Sequence, residues 1–130
     1  GMTNLVTNLG VVGNDVSAVG TARLFLGGCE FGTNKDEAIL GFGQDATGRV
    51  SMTNLVSNTG VVATDTTGVG TGRYQPGSTE YGYDKGVVAW GVSDAGQTLL
   101  YNRISNTGVA TTDYSSTGTA RTASEGSGYG

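Results

Sequence analysis

Two glutamates hold the positions in this 130-residue chain that are best suited to chemistry. Glu30 stands directly before Phe31, and Glu80 stands directly before Tyr81. A pair of carboxylates could bind a cation through oxygen ligands, or could serve as the acid and the nucleophile of a glycosidase. The alternative is that both side chains point to solvent, where charged residues mostly lie. We therefore name Glu30, Glu80 and Tyr81 as candidate ligand-binding residues and assign no catalytic residue.

Composition limits the remaining chemistry. The chain has no histidine, and Cys29 is its single cysteine. Without histidine there is no His-based acid–base catalysis, no Ser-His or Cys-His nucleophile and no imidazole ligand for zinc. Cys29 has no histidine to lower its pKa, so we expect it to be a small packed side chain. We expect no bound metal, no cofactor and no enzymatic activity.

Charge and hydrophobicity argue against two classes of partner. Seven basic and eleven acidic residues give a net charge of −4. The basic residues are scattered, so there is no basic stripe to contact a phosphate backbone, and we expect no binding to nucleic acid. Apolar runs are much shorter than the roughly 20 residues that cross a bilayer, and no signal peptide is recognisable. We expect no membrane association.

The sequence repeats itself. Residues 2–6, with the sequence MTNLV, recur as residues 52–56. The units that follow are repeat 1 (2–51), repeat 2 (52–99) and a truncated repeat 3 (100–130), which together form one domain over 2–130. Several polar positions recur in every unit, among them Asn4, Asn54 and Asn102; Asp15, Asp65 and Asp113; Thr21, Thr71 and Thr119; and Arg23, Arg73 and Arg121.

The sequence of each complete unit predicts four short strands. Alternating large side chains predict a strand over Val88, Trp90 and Val92, with a counterpart at Leu40 and Phe42. An Asn-x-Gly turn, as at Asn58 to Gly60, predicts a tight hairpin between the next two strands. The high glycine content, 24 residues, and the low charged fraction, 14%, argue against helices.

The recurring polar residues have a scaffolding interpretation. The asparagines lie between large apolar residues on one strand face, which predicts buried amides with satisfied hydrogen bonds. The aspartates stand eight residues before the arginines and suit turn caps or ion pairs. The alternative is a ligand site repeated in each unit.

Four strands in a repeat of 48–50 residues are typical of a β-propeller blade. We therefore predict an all-β fold, a propeller of four-stranded antiparallel blades. A β-solenoid is the alternative, although its turns recur at shorter spacing.

The units resemble kelch-type propeller repeats. The resemblance lies in an arginine before the innermost strand and in a second strand of small and aromatic residues ending in glycine, at 38–43 and 87–91. The unit departs from that family in ending with Gly-Phe-Gly or Ala-Trp-Gly rather than a double glycine. It is also similar to kelch-like arrays of some phage and marine bacterial proteins, which implies a virion-associated or surface protein. Because no signal peptide or transmembrane segment is recognisable, a cytoplasmic location is the alternative.

Two complete blades cannot close a ring, because propellers typically have four to eight. We therefore predict a homo-oligomer in which the C-terminal segment of one copy completes the first blade of the next. Residues 122–130 are rich in glycine and serine, and disorder there is the alternative.

The function predicted from these features is a non-enzymatic binding or structural module that presents its loops to a glycan or protein partner. A carboxylate-dependent carbohydrate-active enzyme is the first alternative. A fragment of a longer repeat protein, without an independent function, is the second.

Overall fold

The computed structural model describes residues 2–17 and 19–128, and within them the protein contains strands and no helix. The predicted all-β class is confirmed. No helix in these ranges has the length and hydrophobicity needed to cross a membrane. The strands are β1 (Thr3–Val6), β2 (Val12–Val16), β3 (Gly27–Phe31), β4 (Glu37–Gly41), β5 (Thr53–Val56), β6 (Gly77–Tyr81), β7 (Lys85–Ala89), β8 (Val92–Ser93), β9 (Gly96–Gln97), β10 (Leu100–Ile104) and β11 (Tyr114–Ser115).

The strands form two antiparallel sheets and two separate hairpins. The first sheet has the order β3-β4-β5, and the pairs Thr53–Thr66 and Val56–Val62 add residues 62–66 as a fourth extended segment. The second sheet has the order β6-β7-β10-β11. The N-terminal hairpin is β1-β2, and β8-β9 is a short hairpin between β7 and β10. The first sheet therefore follows the chain from one strand to the next, and the second does so except that the β8-β9 hairpin is inserted between β7 and β10.

The hairpin turns form where the Asn-x-Gly pattern predicts them. Gly10, Gly60 and Gly108 have φ of 77°, 78° and 75°. In the second of these turns, the Gly60 amide donates to the carbonyl of Ser57 over 2.8 Å. Glycine fits these positions because it adopts positive φ without steric cost.

The predicted strand through Trp90 ends earlier than expected. β7 ends at Ala89, Trp90 and Gly91 have φ of 62° and 97°, and Val92 begins the next hairpin. Phe42 repeats this geometry with φ of 61°. The chain turns there because the aromatic ring leaves the strand and lies under the arginine of the following unit.

A small apolar core lies between the two sheets. β3 lies against β6 and β7. The approach is close, since a Cβ added to Gly86 would lie 2.3 Å from the sulfur of Cys29. The buried apolar residues are Phe31, Ile39, Phe42, Val88 and Ile104, with Cys29, Leu55 and Ala110 packed against them.

Backbone hydrogen bonds also join equivalent residues of successive units. The Gln75 amide donates to the Phe25 carbonyl over 2.9 Å, and the Ala123 amide donates to the Gln75 carbonyl over 3.1 Å. The segment after Ala123 runs beside β6, because a Cβ on Gly77 would lie 3.0 Å from the carbonyl oxygen of Ser124. Residues 122–128 therefore continue the pattern, while Tyr129 and Gly130, which sequence comparison matches to Phe31 and Gly32, lie outside the described residues.

Candidate functional site

Arg73 is the centre of a buried polar network in the second sheet. It precedes β6 and is 0% exposed. Its Nη2 donates to Oδ1 of Asn102 over 2.5 Å and to the carbonyl of Val88 over 3.1 Å. Its Nη1 donates to the carbonyl of Thr71 over 3.1 Å. The guanidinium therefore ties the segment before β6 to β7 and β10.

Asn102 connects Arg73 to Asp113 through hydrogen bonds. Its Nδ2 donates to Oδ1 of Asp113 and to the carbonyl of Thr111, each over 3.0 Å. The other carboxylate oxygen of Asp113 accepts from the backbone amide and the hydroxyl of Thr71, over 2.9 and 2.7 Å. The chain must pass close to this carboxylate, since a Cβ on Gly70 would lie 2.3 Å from Oδ1. Four recurring residues thus form one closed unit.

Burial and hydrogen bonding shift the pKa values in this network. Burial lowers the pKa of Arg73 to about 10, against the attraction of Asp113. Burial opposes ionisation of Asp113, but the hydrogen bonds from Thr71 and Asn102 outweigh it and lower the pKa of this carboxyl group. Both groups are therefore charged at neutral pH, with their Nη1 and Oδ1 atoms 3.7 Å apart.

The first sheet contains the same network around Arg23. Its Nη1 donates to the carbonyl of Met52 over 2.6 Å, and its Nη2 donates to Oδ1 of Asn54. Asn54 donates to Asp65 over 2.8 Å, and Asp65 also accepts from Thr21. These hydrogen bonds from Asn54 and Thr21 lower the pKa of Asp65. Asn54 is 3% exposed, but Arg23 is only half-buried.

The outer members of the series occupy exposed positions. Asn4 donates to Asp15 over 2.8 Å and to the carbonyl of Gly13 over 3.1 Å, and both Asn4 and Asp15 are exposed. Arg121 is exposed, its guanidinium lies 5.4 Å from the centre of the Trp90 ring, and its carbonyl accepts from Gly91 over 2.9 Å. Burial of the asparagine is thus seen at Asn54 and Asn102 but not at Asn4.

The predicted carboxylate pair is divided between different environments. Glu30 is exposed on β3, whereas Glu80 on β6 is half-buried and forms an ion pair with Lys35 over 3.3 Å. Within the described residues no hydrogen bond joins the two glutamates.

Cys29 lies between the sheets, where burial raises the pKa of its thiol to about 11. It is therefore a protonated thiol at neutral pH and a poor nucleophile.

An aromatic cluster on the second sheet is the feature that sequence reasoning missed. We call Tyr81, Tyr101, Arg103 and Tyr114 the tyrosine patch. The rings of Tyr101 and Tyr114 stack with centres 5.3 Å apart, and the Arg103 guanidinium lies 4.8 Å from the centre of Tyr114. Tyr81, Tyr101 and Arg103 line a shallow groove of 370 Å³ with Val87.

Comparison between the units contains a signal for this patch. Position by position, Thr53, Leu55 and Thr66 of one unit are replaced by Tyr101, Arg103 and Tyr114 in the next, while the Asn and Asp of the network are kept. Of the predicted ligand-binding residues, only Tyr81 belongs to this cluster.

A wider groove lies elsewhere, and both of its charged side chains already have partners. It has a volume of 530 Å³ and includes Arg49 and Asp65 in its lining. Arg49 forms an ion pair with Asp94 over 2.5 Å, and Asp65 belongs to the Arg23 network. No group of three or more Cys, Asp or Glu side chains suited to a metal ion occurs in residues 2–17 and 19–128. Neither a scan against protein-family models nor a search of curated proteins finds a match to the chain.

Proposed function

We propose that the protein is a non-enzymatic binding module whose two sheets are successive blades of a kelch-like propeller. The antiparallel strand order, which repeats in both sheets, and the contact between β3 and β6 support this arrangement. The recurring Arg, Asn, Asp and Thr side chains stabilise each blade. Ligand contact then depends on side chains outside that scaffold.

The tyrosine patch is the observation that carries the proposal. It is a group of large aromatic side chains on a sheet face, with Tyr114 40% exposed. Tyrosine provides a large and rigid contact surface with a polar hydroxyl, at a low cost in side-chain entropy. A glycan suits this surface, since the apolar face of a sugar ring can stack on Tyr101 or Tyr114 while Arg103 donates hydrogen bonds to its hydroxyls.

A glycan array followed by calorimetry tests this function. Tyr101→Ala and Tyr114→Ala are each expected to weaken binding about tenfold or more, because each removes one stacking ring. Tyr83→Ala is the matched control, since Tyr83 is equally aromatic, exposed and outside the patch. The glycan proposal would be contradicted if only Tyr83→Ala lost glycan binding. It would also be contradicted if the ligand were a protein whose affinity is unchanged in all three variants.

The alternative enzyme would use Glu30, Glu80 or the repeated aspartates. Asp65 and Asp113 already accept several hydrogen bonds, and Glu80 is paired with Lys35, which favours binding over catalysis. We expect glycosidase substrates to remain intact. Turnover that disappears in Glu80→Gln would instead establish the enzyme.

Self-association is the second part of the proposal. Asn4 and Asp15 form an acceptor half of the network, while Thr119 and Arg121 are exposed counterparts of the donor half. We propose that Arg121 of one copy faces Asp15 of the next, and that the copies close a ring. Light scattering should then report an oligomer that Asp15→Asn weakens, whereas a monodisperse monomer at micromolar concentration would contradict the ring.

A further inference from the structure

β1 has an unpaired edge. Within residues 2–17 and 19–128, β1 pairs only with β2. Its counterparts have neighbours on both sides, since β5 lies between β4 and residues 62–66, and β10 lies between β7 and β11. An open strand edge presents unpaired N–H and C=O groups that can accept a further strand.

The first sheet shows which kind of strand would pair with the open edge of β1. β1 and β5 carry the same four residues, TNLV, and both follow a methionine. In the first sheet β4 pairs with this sequence, with Leu40 opposite Asn54 and Gly41 opposite Thr53. The pairing continues where the Phe42 amide donates to the carbonyl of Met52 over 3.0 Å. On β1 the corresponding positions are Asn4, Thr3 and Met2.

A cavity beside Arg23 lies where the end of that strand would fall. It has a volume of 160 Å³ and is lined by Met2, Arg23, Leu26, Leu40, Asn54 and Val62 among others. An apolar cavity of about 150 Å³ is large enough to hold a benzene ring. The opening therefore matches one aromatic side chain.

The next unit shows what fills the equivalent space. The counterparts of Met2, Arg23 and Asn54 are Met52, Arg73 and Asn102. Phe42 contacts two of these residues, since its amide donates to the Met52 carbonyl and the Arg73 guanidinium lies 4.0 Å from its ring centre. Val88, the counterpart of Leu40, belongs to the same buried cluster as Phe42. Phe42 is 0% exposed. The face of an aromatic ring attracts a guanidinium, and more strongly where water is excluded.

A third contact follows from the glycine after the aromatic residue. The Gly43 amide donates to the carbonyl of Arg73 over 2.8 Å, and the Gly91 amide donates to the carbonyl of Arg121 over 2.9 Å. Gly43 has φ of 101°, and a Cβ there would lie 2.8 Å from the carbonyl oxygen of Leu24. Only glycine fits this position without strain. The carbonyl of Arg23 is the equivalent acceptor in the open site.

We propose that β1 and the cavity beside Arg23 together bind an extended strand of another polypeptide chain, one that ends in Phe or Trp followed by Gly. The strand pairs antiparallel with β1, places its aromatic ring on the Arg23 guanidinium, and donates its glycine amide to the Arg23 carbonyl. Main-chain pairing supplies part of the affinity, and the cavity supplies the sequence preference. This site is independent of the tyrosine patch, which lies on the second sheet.

The test uses the 130-residue chain and a blocked heptapeptide, EAILGFG, which copies residues 37–43. Fluorescence anisotropy of the labelled peptide measures affinity, and amide NMR shifts of the protein locate the site. We expect shifts at β1, Arg23 and Leu26. Replacing the peptide phenylalanine by alanine should weaken binding about tenfold or more, because the ring and its contact with the guanidinium are lost. Protein variant Arg23→Met should weaken the phenylalanine peptide more than the alanine peptide.

Backbone-modified peptides separate strand pairing from nonspecific apolar binding. N-methylation of the phenylalanine removes the amide that faces Met2 and should abolish binding. N-methylation of the preceding glycine is the matched control, because alternate amides of a strand point to opposite edges. The proposal would be overturned if both N-methylated peptides lost affinity equally, or if the Phe→Ala peptide bound as tightly as the original. NMR shifts confined to the second sheet, or no binding of the original peptide, would also overturn it. Self-association that buries β1 against a second β1 would overturn it as well.

Discussion

Arg73 and Arg23 have nearly the same partners but differ in exposure. Each donates to an asparagine on the third strand of its sheet, and each asparagine donates to an aspartate held by a threonine. Arg73 is 0% exposed, whereas Arg23 is half-buried beside an open cavity. The difference is that Phe42 covers Arg73, and no described residue takes that position at Arg23. Burial of the arginine therefore depends on the neighbouring unit and not on the network itself.

This contrast predicts that the two arginine sites contribute differently to the free energy of unfolding. Removing a guanidinium that is buried away from water leaves its acceptors without a donor, and unpaired buried acceptors are costly. At Arg23 water can still reach the open side and replace a lost partner. The same substitution should therefore cost more free energy of unfolding at the covered site.

The largest expected effect comes from removing the cover. Phe42→Ala should lower the free energy of unfolding by about 3–5 kcal/mol, because it deletes a fully buried ring and leaves a cavity beside Arg73. Phe25→Ala is the matched control, since Phe25 is 55% exposed and its ring lies against Tyr74. That change should cost about 1 kcal/mol. Urea unfolding of both variants measures the difference, and equal costs would show that Phe42 is not the element that separates the two arginine sites.

Much of the scaffold could be predicted from the sequence, because it depends on local signals. Glycine at a turn and the 48–50-residue period both act over short or regular spacings, and they led to the all-β prediction. The turn of the chain at Trp90 could not be predicted, since a positive φ in a large residue has no local signal. It depends on a contact with Arg121, which lies 31 residues further along the chain (121 − 90 = 31).

The candidate site was less predictable for a related reason. Asn54 and Asp65 were identified as recurring polar residues, but their link to Thr21 joins residues 44 apart in sequence. The tyrosine patch becomes visible only when Tyr101 is compared with its counterpart Thr53 and both are placed on a sheet face. Side-chain alternation gives the face of a strand but not which faces lie uncovered.

The next largest effect concerns the arginines themselves. Arg73→Met should cost about 3 kcal/mol, because the carbonyls of Thr71 and Val88 and the amide oxygen of Asn102 lose a buried donor. Arg23→Met should cost about 1 kcal/mol, since water can solvate the freed acceptors. Chemical denaturation of each variant gives the two values.

A double variant makes the comparison sharper. In the Phe42→Ala background the site is already open to water when Arg73→Met removes the guanidinium. The free-energy cost of Arg73→Met in this background should then be close to that of Arg23→Met. The coupling energy between Phe42 and Arg73 should equal the difference between the cost of Arg73→Met in the wild-type protein and its cost in Phe42→Ala. Strict additivity of the two substitutions would mean that the aromatic cover has no influence on the arginine.

The smallest expected effect is a dependence of stability on pH at the acid end. The pKa of Asp113 is lowered in the folded protein, so the unfolded chain binds more protons in acid. This contribution is fully present above the ordinary pKa of aspartate, about 4, and is lost as the pH falls through the lower folded value. Asp113→Asn should therefore make the fall of the melting temperature below about pH 4 less steep. Thr71→Val, which removes the hydroxyl donor but keeps the backbone amide, should give an intermediate slope. An unchanged slope in Asp113→Asn would mean that the hydrogen bonds from Thr71 and Asn102 do not favour the ionised carboxylate, and the covered site would then owe its stability to Phe42 and Arg73 alone.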